Sequence, residues 1–214
     1  MRLRFSVVLF FLLSAACNQT GQRLPIMGSR TPVTTESGGK TVTDTLYHTI
    51  PAFRMLDQDS VFVDNNTLQK KIYVADFFFT SCPTTCPVMQ RNLLKVAIEY
   101  RHQPNVAFVS YSIDPAHDTP HTLKNYANHL GIRPGQWLFL TGNRDSVYHL
   151  AETGYYATAR ADSAAPGGFV HSGALILVDT RRRIRGTYDG TIDDDAQKLS
   201  QDIKTLLAEE FPRK

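Results

Sequence analysis

Cys82 and Cys86 stand four residues apart in the run Phe77-Phe78-Phe79-Thr80-Ser81-Cys82-Pro83-Thr84-Thr85-Cys86-Pro87, at the end of an apolar stretch. The C-x-x-x-C spacing puts two soft sulfur ligands on one side of a turn. If Cys86 caps a helix that begins at Pro87, the proline occupies the first helical position, where its missing N–H costs nothing. Both sulfurs then lie near the positive end of a helix, and that field favours thiolate. Thiolate attacks disulfides and also binds soft metal ions, so the local physics serves a redox pair and a metal site alike. Dedicated thiol–disulfide oxidoreductases use C-x-x-C. One extra residue, with Pro83 stiffening the turn, lets the sulfurs spread toward a shared ion, whereas a disulfide needs about 2 Å. A structural staple is a third reading, but closing so short a loop removes little chain entropy.

Among seven histidines, His171 stands apart because it opens the run His171-Ser172-Gly173-Ala174-Leu175-Ile176-Leu177-Val178-Asp179 after a Gly-containing loop. Strand ends of an α/β sheet line the ligand crevice. An imidazole there would complete a trigonal site with two sulfurs and one nitrogen. Soft thiolates select Cu(I), and an imidazole nitrogen also accepts Cu(II). Zinc usually takes a fourth ligand, and none is evident. His48, His102, His117, His121, His129 and His149 read as surface or satisfied core residues. Asp114-Pro115-Ala116-His117-Asp118-Thr119-Pro120 reads as a turn and a helix start, with an acid near the thiols as the functional alternative. Met89 reads as core.

The elements that must carry these residues follow from pattern. Ile50–Phe53 and Val61–Val63 read as short strands of an N-terminal β-hairpin around residues 56–60. Lys71–Phe79 is a buried strand interrupted only by Asp76. Met89–Tyr100 is a helix, Val106–Ile113 a strand, and Thr119–Leu130 a helix with Thr119 as cap, Pro120 in its first turn and Gly131 past its end. Trp137–Leu140 is a strand, Asp145–Glu152 a short helix and 154–168 a loop. Val170–Val178 reads as one strong strand, hairpinned to Ile184–Tyr188. Asp193–Glu210 is a closing helix with acids in its first turn, as the helix dipole favours. The order β-α-β-α-β-α-β-β-α, part parallel and part antiparallel, is that of an α/β, thioredoxin-like fold with a mixed central sheet flanked by helices.

The first residues are not part of that fold. Arg2 and Arg4 precede the apolar run Phe5–Leu13, then Ser14, Ala15, Ala16 and Cys17. This is the pattern of an export signal, too short to span a bilayer as an ordinary helix. A cysteine after small residues suits a lipoprotein signal over 1–16, with Cys17 as the lipidated residue. Residues 17–44, rich in Thr, Gly, Ser and Pro, read as a flexible linker from that anchor, and 45–214 as the folded domain. The protein is then extracytoplasmic, lipid-anchored on the periplasmic side of a bacterial membrane. Of the 3 cysteines, removing Cys17 leaves only the Cys82 and Cys86 pair. The net charge of +3 is small. Arg181–Arg183 and Arg185 read as a solvated edge without interleaved aromatics, so no nucleic-acid partner is expected.

Taken together, these motifs resemble the Sco/SenC family of copper-handling, thioredoxin-like proteins. The resemblance is carried by 77–87, by Ser110-Tyr111-Ser112-Ile113 with the Asp114–Pro120 run, by Leu140-Thr141-Gly142 and by His171-Ser172-Gly173, and covers about residues 47–210. It implies that Cys82, Cys86 and His171 bind copper. It further implies delivery of copper to the dinuclear copper site of cytochrome c oxidase, or reduction of that site's cysteines. The implied partner is the oxidase's copper-bearing subunit or another exported thiol protein. Many members carry a transmembrane anchor where this chain reads as a lipoprotein. Some bacterial relatives serve copper homeostasis or oxidative stress, so a thiol–disulfide reductase using the Cys82–Cys86 pair is the alternative.

Overall fold

The computed structural model describes residues 23–38, 40–132 and 134–212. The expected signal segment 1–16 and Cys17 lie outside them. Strands β1 (Arg30–Ser37) and β2 (Lys40–Tyr47) form a hairpin, Arg30 facing Tyr47 and Ser37 facing Lys40. β3 (Arg54–Leu56) and β4 (Phe62–Asp64) form a second. The main body follows as β5 (Ile72–Phe78), α1 (Thr85–Glu99), β6 (Val106–Ser112), α2 (Pro120–His129), β7 (Trp137–Leu140) and α3 (Arg144–His149). α3 runs into a π-helical turn, Leu150–Gly154. Then come β8 (Ala159–Ala161), β9 (Phe169–His171), β10 (Ala174–Val178), β11 (Ile184–Asp189) and α4 (Asp193–Glu210).

The central sheet has the order β11-β10-β5-β6-β7. β5, β6 and β7 run parallel, and β10 is antiparallel to both β5 and β11. This is the mixed, thioredoxin-like sheet that the element order predicts. All seven residues of β5 and all seven of β6 are buried, so both faces of the sheet's centre are covered, as a continuous apolar run requires. One face carries Tyr73 and Phe77 with Tyr111; the other carries Asp76 and Phe78 with Ser110. α1 covers the second face and buries Met89, Leu93, Val96 and Ala97, each of the larger side chains contributing about 1.5–3 kcal/mol. α2 lies on the same face, Tyr126 packing against Phe78 and Phe139. Its start is the expected one: Thr119 Oγ1 accepts from the Thr122 N–H at 3.2 Å with Pro120 beside it. Past its end Gly131 adopts φ +67, a left-handed value that suits glycine.

Four expectations are corrected. The hairpin expected to begin at Ile50 begins at Arg54 instead. The described part of the segment expected as a flexible linker holds β1 and β2, nearly all of whose residues are exposed. Such strands bury no face and so show no apolar alternation, although their Thr and Val content suits a strand. Ahead of them Leu24 and Pro25 offer their carbonyls to Arg185, and the Met27 N–H donates to the Ile184 carbonyl at 2.8 Å. Arg185 is therefore no solvated edge residue: its side chain is 1 % exposed and paired with Asp179 and Glu209. Finally, the single strand expected over 170–178 is broken at Ser172-Gly173. There the chain crosses Gly190 so closely that a Cβ on Gly190 would lie 2.9 Å from the Gly173 carbonyl oxygen and 2.6 Å from Met89 Cγ.

Candidate metal centre

β5 delivers the chain to Thr80, and Asp118 fixes it there. The Asp118 carboxylate accepts from the Thr80 N–H at 3.2 Å, from the Thr80 hydroxyl, and from the Ser112 hydroxyl at 2.5 Å. Burial pushes the Asp118 pKa up against these hydrogen bonds. A helix start was expected at this acid; the structure adds that it ties the cysteine loop to the end of β6. Asp114 instead accepts from His117 Nδ1 at 2.7 Å, with His117 exposed.

α1 begins two residues earlier than Pro87, at Thr85. Cys86 therefore lies inside the first turn and Pro87 at the third position, where its absent N–H is still no loss. Thr84 occupies the cap but its side chain makes no capping bond. Cys82 Sγ takes that role, accepting from the Cys86 N–H at 3.4 Å. A sulfur that receives an orphan amide at a helix N-terminus is stabilised as thiolate. Burial works against ionisation of Cys82, but the neighbouring Cys86 side chain and hydrogen bonds from the Cys86 and Thr84 amides and the Thr84 hydroxyl outweigh it, so its pKa is lowered. Burial raises the pKa of Cys86, and the neighbouring Cys82 and Asp76 add to the rise. The pair is electrostatically unequal: Cys82 is the more readily ionised thiol, and Cys86 holds its proton the more tightly. Both are free.

His171 comes from the end of β9, a strand that pairs with β8 and not with the central sheet. Its Nε2 lies 3.1 Å from Cys86 Sγ and 3.9 Å from Cys82 Sγ. Its Nδ1 lies 3.1 Å from the Ser172 carbonyl oxygen. A carbonyl only accepts, so Nδ1 carries the hydrogen, the Ser172 carbonyl holds the ring in place, and Nε2 presents its lone pair to the sulfurs, as a metal-binding imidazole does. Burial lowers the His171 pKa and keeps the ring neutral. Phe79 meets the ring edge-on at 5.9 Å between centroids and packs on Phe169 at 5.0 Å. Gly167, at φ +76, lies against Phe79 and Pro83, so the β8–β9 hairpin closes directly onto the cysteine loop.

The ligand atoms of Cys82, Cys86 and His171 all lie within 4.8 Å of one another, the one such group of three among the described residues. A triangle with edges of about 4 Å has corners about 2.3 Å from its centre, the length of a metal–thiolate bond. Two thiolate donors and one neutral imidazole fit a soft ion of low coordination number, which copper is. Met89 is fully buried and belongs to the core. Beneath the site Asp76 accepts from Gln90 Nε2 at 2.8 Å and from Ser110 Oγ at 2.5 Å, and Ser110 accepts from Trp137 Nε1 at 2.8 Å. Burial pushes the Asp76 carboxyl up to about 7. In the sequence Asp76 is only an interruption of an apolar strand.

A thioredoxin-like domain with a thiol pair at the start of its first main helix, and an imidazole folded over it, defines a class of soft-metal and thiol-redox proteins. Residues 42–208 match the SCO1/SenC family model, and the chain belongs to that family. A protein of Stutzerimonas stutzeri described as a putative copper-binding protein is 30 % identical over 142 residues, 64 % of this chain and 67 % of that one. The structure of a SCO1/SenC family lipoprotein from Bacillus anthracis superposes with a TM-score of 0.68 at 26 % identity, covering 74 % of this chain and 95 % of the other. BsSco, described as a member of the Sco family of cytochrome c oxidase assembly proteins, superposes with a TM-score of 0.67 at 23 % identity, over 78 % and 95 % of the two chains. No helix among the described residues is long and apolar enough to cross a membrane.

Proposed function

We propose that this domain binds one copper ion through Cys82, Cys86 and His171. Copper is its cargo, destined for the dinuclear copper site of cytochrome c oxidase. The observation that carries the reading is the convergence of two sulfurs and one unprotonated imidazole nitrogen within 4.8 Å. The family's description as oxidase assembly proteins supports the client, and the lipoprotein description of the B. anthracis relative supports anchoring through Cys17 at the extracytoplasmic membrane face. Cys82 is the more easily ionised of the two sulfur ligands for an incoming ion. Cys86 must give up its proton as it becomes a ligand, and His171 contributes Nε2 without losing one. Copper titration of the anaerobically reduced protein tests this. Wild type takes up one ion, and His171→Ala weakens Cu(II) binding at least tenfold and changes its absorption spectrum; an unchanged affinity and spectrum refutes the three-ligand site.

The unequal thiols favour a second activity at the same place, reduction of a client disulfide. Cys82 thiolate attacks one sulfur of the client's disulfide, forming a mixed disulfide and releasing one client thiolate. Cys86 then attacks Cys82 Sγ, closing the Cys82–Cys86 bridge and releasing the second client thiolate. Two electrons pass from the pair to the client, and the proton of Cys86 leaves toward His171 Nε2, its neighbour at 3.1 Å. Cys86→Ser would trap the mixed disulfide, and Cys82→Ser would not.

A further inference from the structure

A groove that His171 does not line leads away from the sulfurs. Its first part, a cleft of about 330 Å³, has Cys82 and Cys86 in its wall and Leu94, Tyr126 and Leu130 along its floor. A smaller hollow of about 80 Å³ continues it along the α1–α2 seam over Leu94, Ala97, Ile132 and Trp137. Leu94 lines both. The rim is basic: Arg91 and His129 beside the first part, Arg101 beside the second. Among the described residues no acidic side chain lines either part, and neither Arg91 nor Arg101 has an acidic partner. Both arginines are exposed. From Cys86 to the end of α1 the seam runs about 20 Å at 1.5 Å per helical residue. An extended chain covers that span in about six residues.

We infer that this seam is the docking groove for an extended, acidic, cysteine-bearing segment of the client. The inference rests on the proposed function, whose client must bring a sulfur to Cys82 and Cys86. In an extended segment alternate side chains point to opposite sides. One set fills the apolar floor, the other meets Arg91 and Arg101, and the segment's cysteine lies at the sulfur end. His171 lines neither part of the groove, so a client seated there reaches the thiols without displacing the imidazole. The basic rim selects by charge and speeds encounter.

The probes are two dye-labelled heptapeptides, Ser-Leu-Glu-Leu-Glu-Leu-Glu and the same peptide with lysine for each glutamate. Serine replaces the cysteine so that binding is read without thiol chemistry. Fluorescence anisotropy with the reduced protein at low salt shows the acidic peptide binding at least tenfold more tightly than the basic one. Arg91→Glu with Arg101→Glu removes that preference, and Cu(II) uptake by the double variant is unchanged. Equal affinity for the two peptides, or a preference that survives the charge reversal, overturns the groove, as does occlusion of the seam by a second copy of the chain in solution. A protein that prefers the acidic peptide but binds no copper refutes the proposed function and leaves the groove standing.

Discussion

Cys86 Sγ and His171 Nε2, 85 residues apart in sequence, face each other at 3.1 Å, and the thiol is the only proton donor of the two. The hydrogen-bonded Nδ1 and the lowered pKa leave the ring neutral, so the thiol donates to Nε2. That contact occupies the lone pair which would bind copper, and it holds the proton that copper must expel.

Copper affinity therefore rises with pH. Cys86 has its pKa raised by burial and stays protonated through the neutral range, whereas Cys82 has its pKa lowered. Uptake releases at least the Cys86 proton, and the apparent affinity climbs at least about tenfold per pH unit. Competition against a chelator of known pH dependence at pH 6, 7 and 8 checks the slope. A flat profile means that both thiols were already ionised.

Asp118 anchors the cysteine loop. Asp118→Ala leaves the Thr80 amide, the Thr80 hydroxyl and the Ser112 hydroxyl without their acceptor, at about 1–3 kcal/mol for each buried group left unpaired. Because Thr80 is only partly buried and its groups can turn to water, we expect about 2–4 kcal/mol lost in urea unfolding, with copper affinity falling as the loop loosens. A loss below about 0.5 kcal/mol would show the tie to be dispensable.

Asp76 makes stability depend on pH in the sense opposite to that of a salt-bridged acid. Its folded-state pKa is raised, from the ordinary 3.8 to about 7, so the folded protein holds the proton more tightly than the unfolded chain does. Stability is greatest below pH 4 as far as this group is concerned and falls as pH rises to about 7, by on the order of 4 kcal/mol in all. Asp76→Asn flattens that window and is the more stable protein at pH 8. Parallel unfolding curves of the two proteins from pH 4 to 8 would contradict this.

Arg185 binds the amino-terminal strap to the domain. Arg185→Met leaves Asp179 and Glu209 without this partner and frees the Leu24 and Pro25 carbonyls. Removing one member of a buried ionic network costs about 3–5 kcal/mol. Hydrogen exchange at the Met27 amide reports the strap separately and accelerates more than the amides of β5 do.

Much of this was legible in the sequence wherever one short-range pattern decided the outcome. β5, β6, α2 and α4 follow from apolar periodicity with their caps, and the cysteine pair from its spacing. β1 and β2 escaped because strands with no buried face leave no period to read. The break at Gly173 escaped because the apolar run is unbroken there; the close approach of Gly190, seventeen residues on, imposes it. Arg185 looked solvated because its partners Glu209, Leu24 and Pro25 are distant in sequence. His171 stood out as a strand-end histidine, yet its carrier is the separate β8–β9 hairpin, a placement only the closure of Phe169 and Gly167 onto Phe79 explains.

X-ray absorption at the copper edge of the anaerobically loaded protein tests the central claim most directly. Wild type should show two sulfur scatterers and an imidazole nitrogen, and His171→Ala should keep the two sulfurs and lose the imidazole. A wild-type spectrum with one sulfur or none, or one that His171→Ala leaves unaltered, contradicts the account.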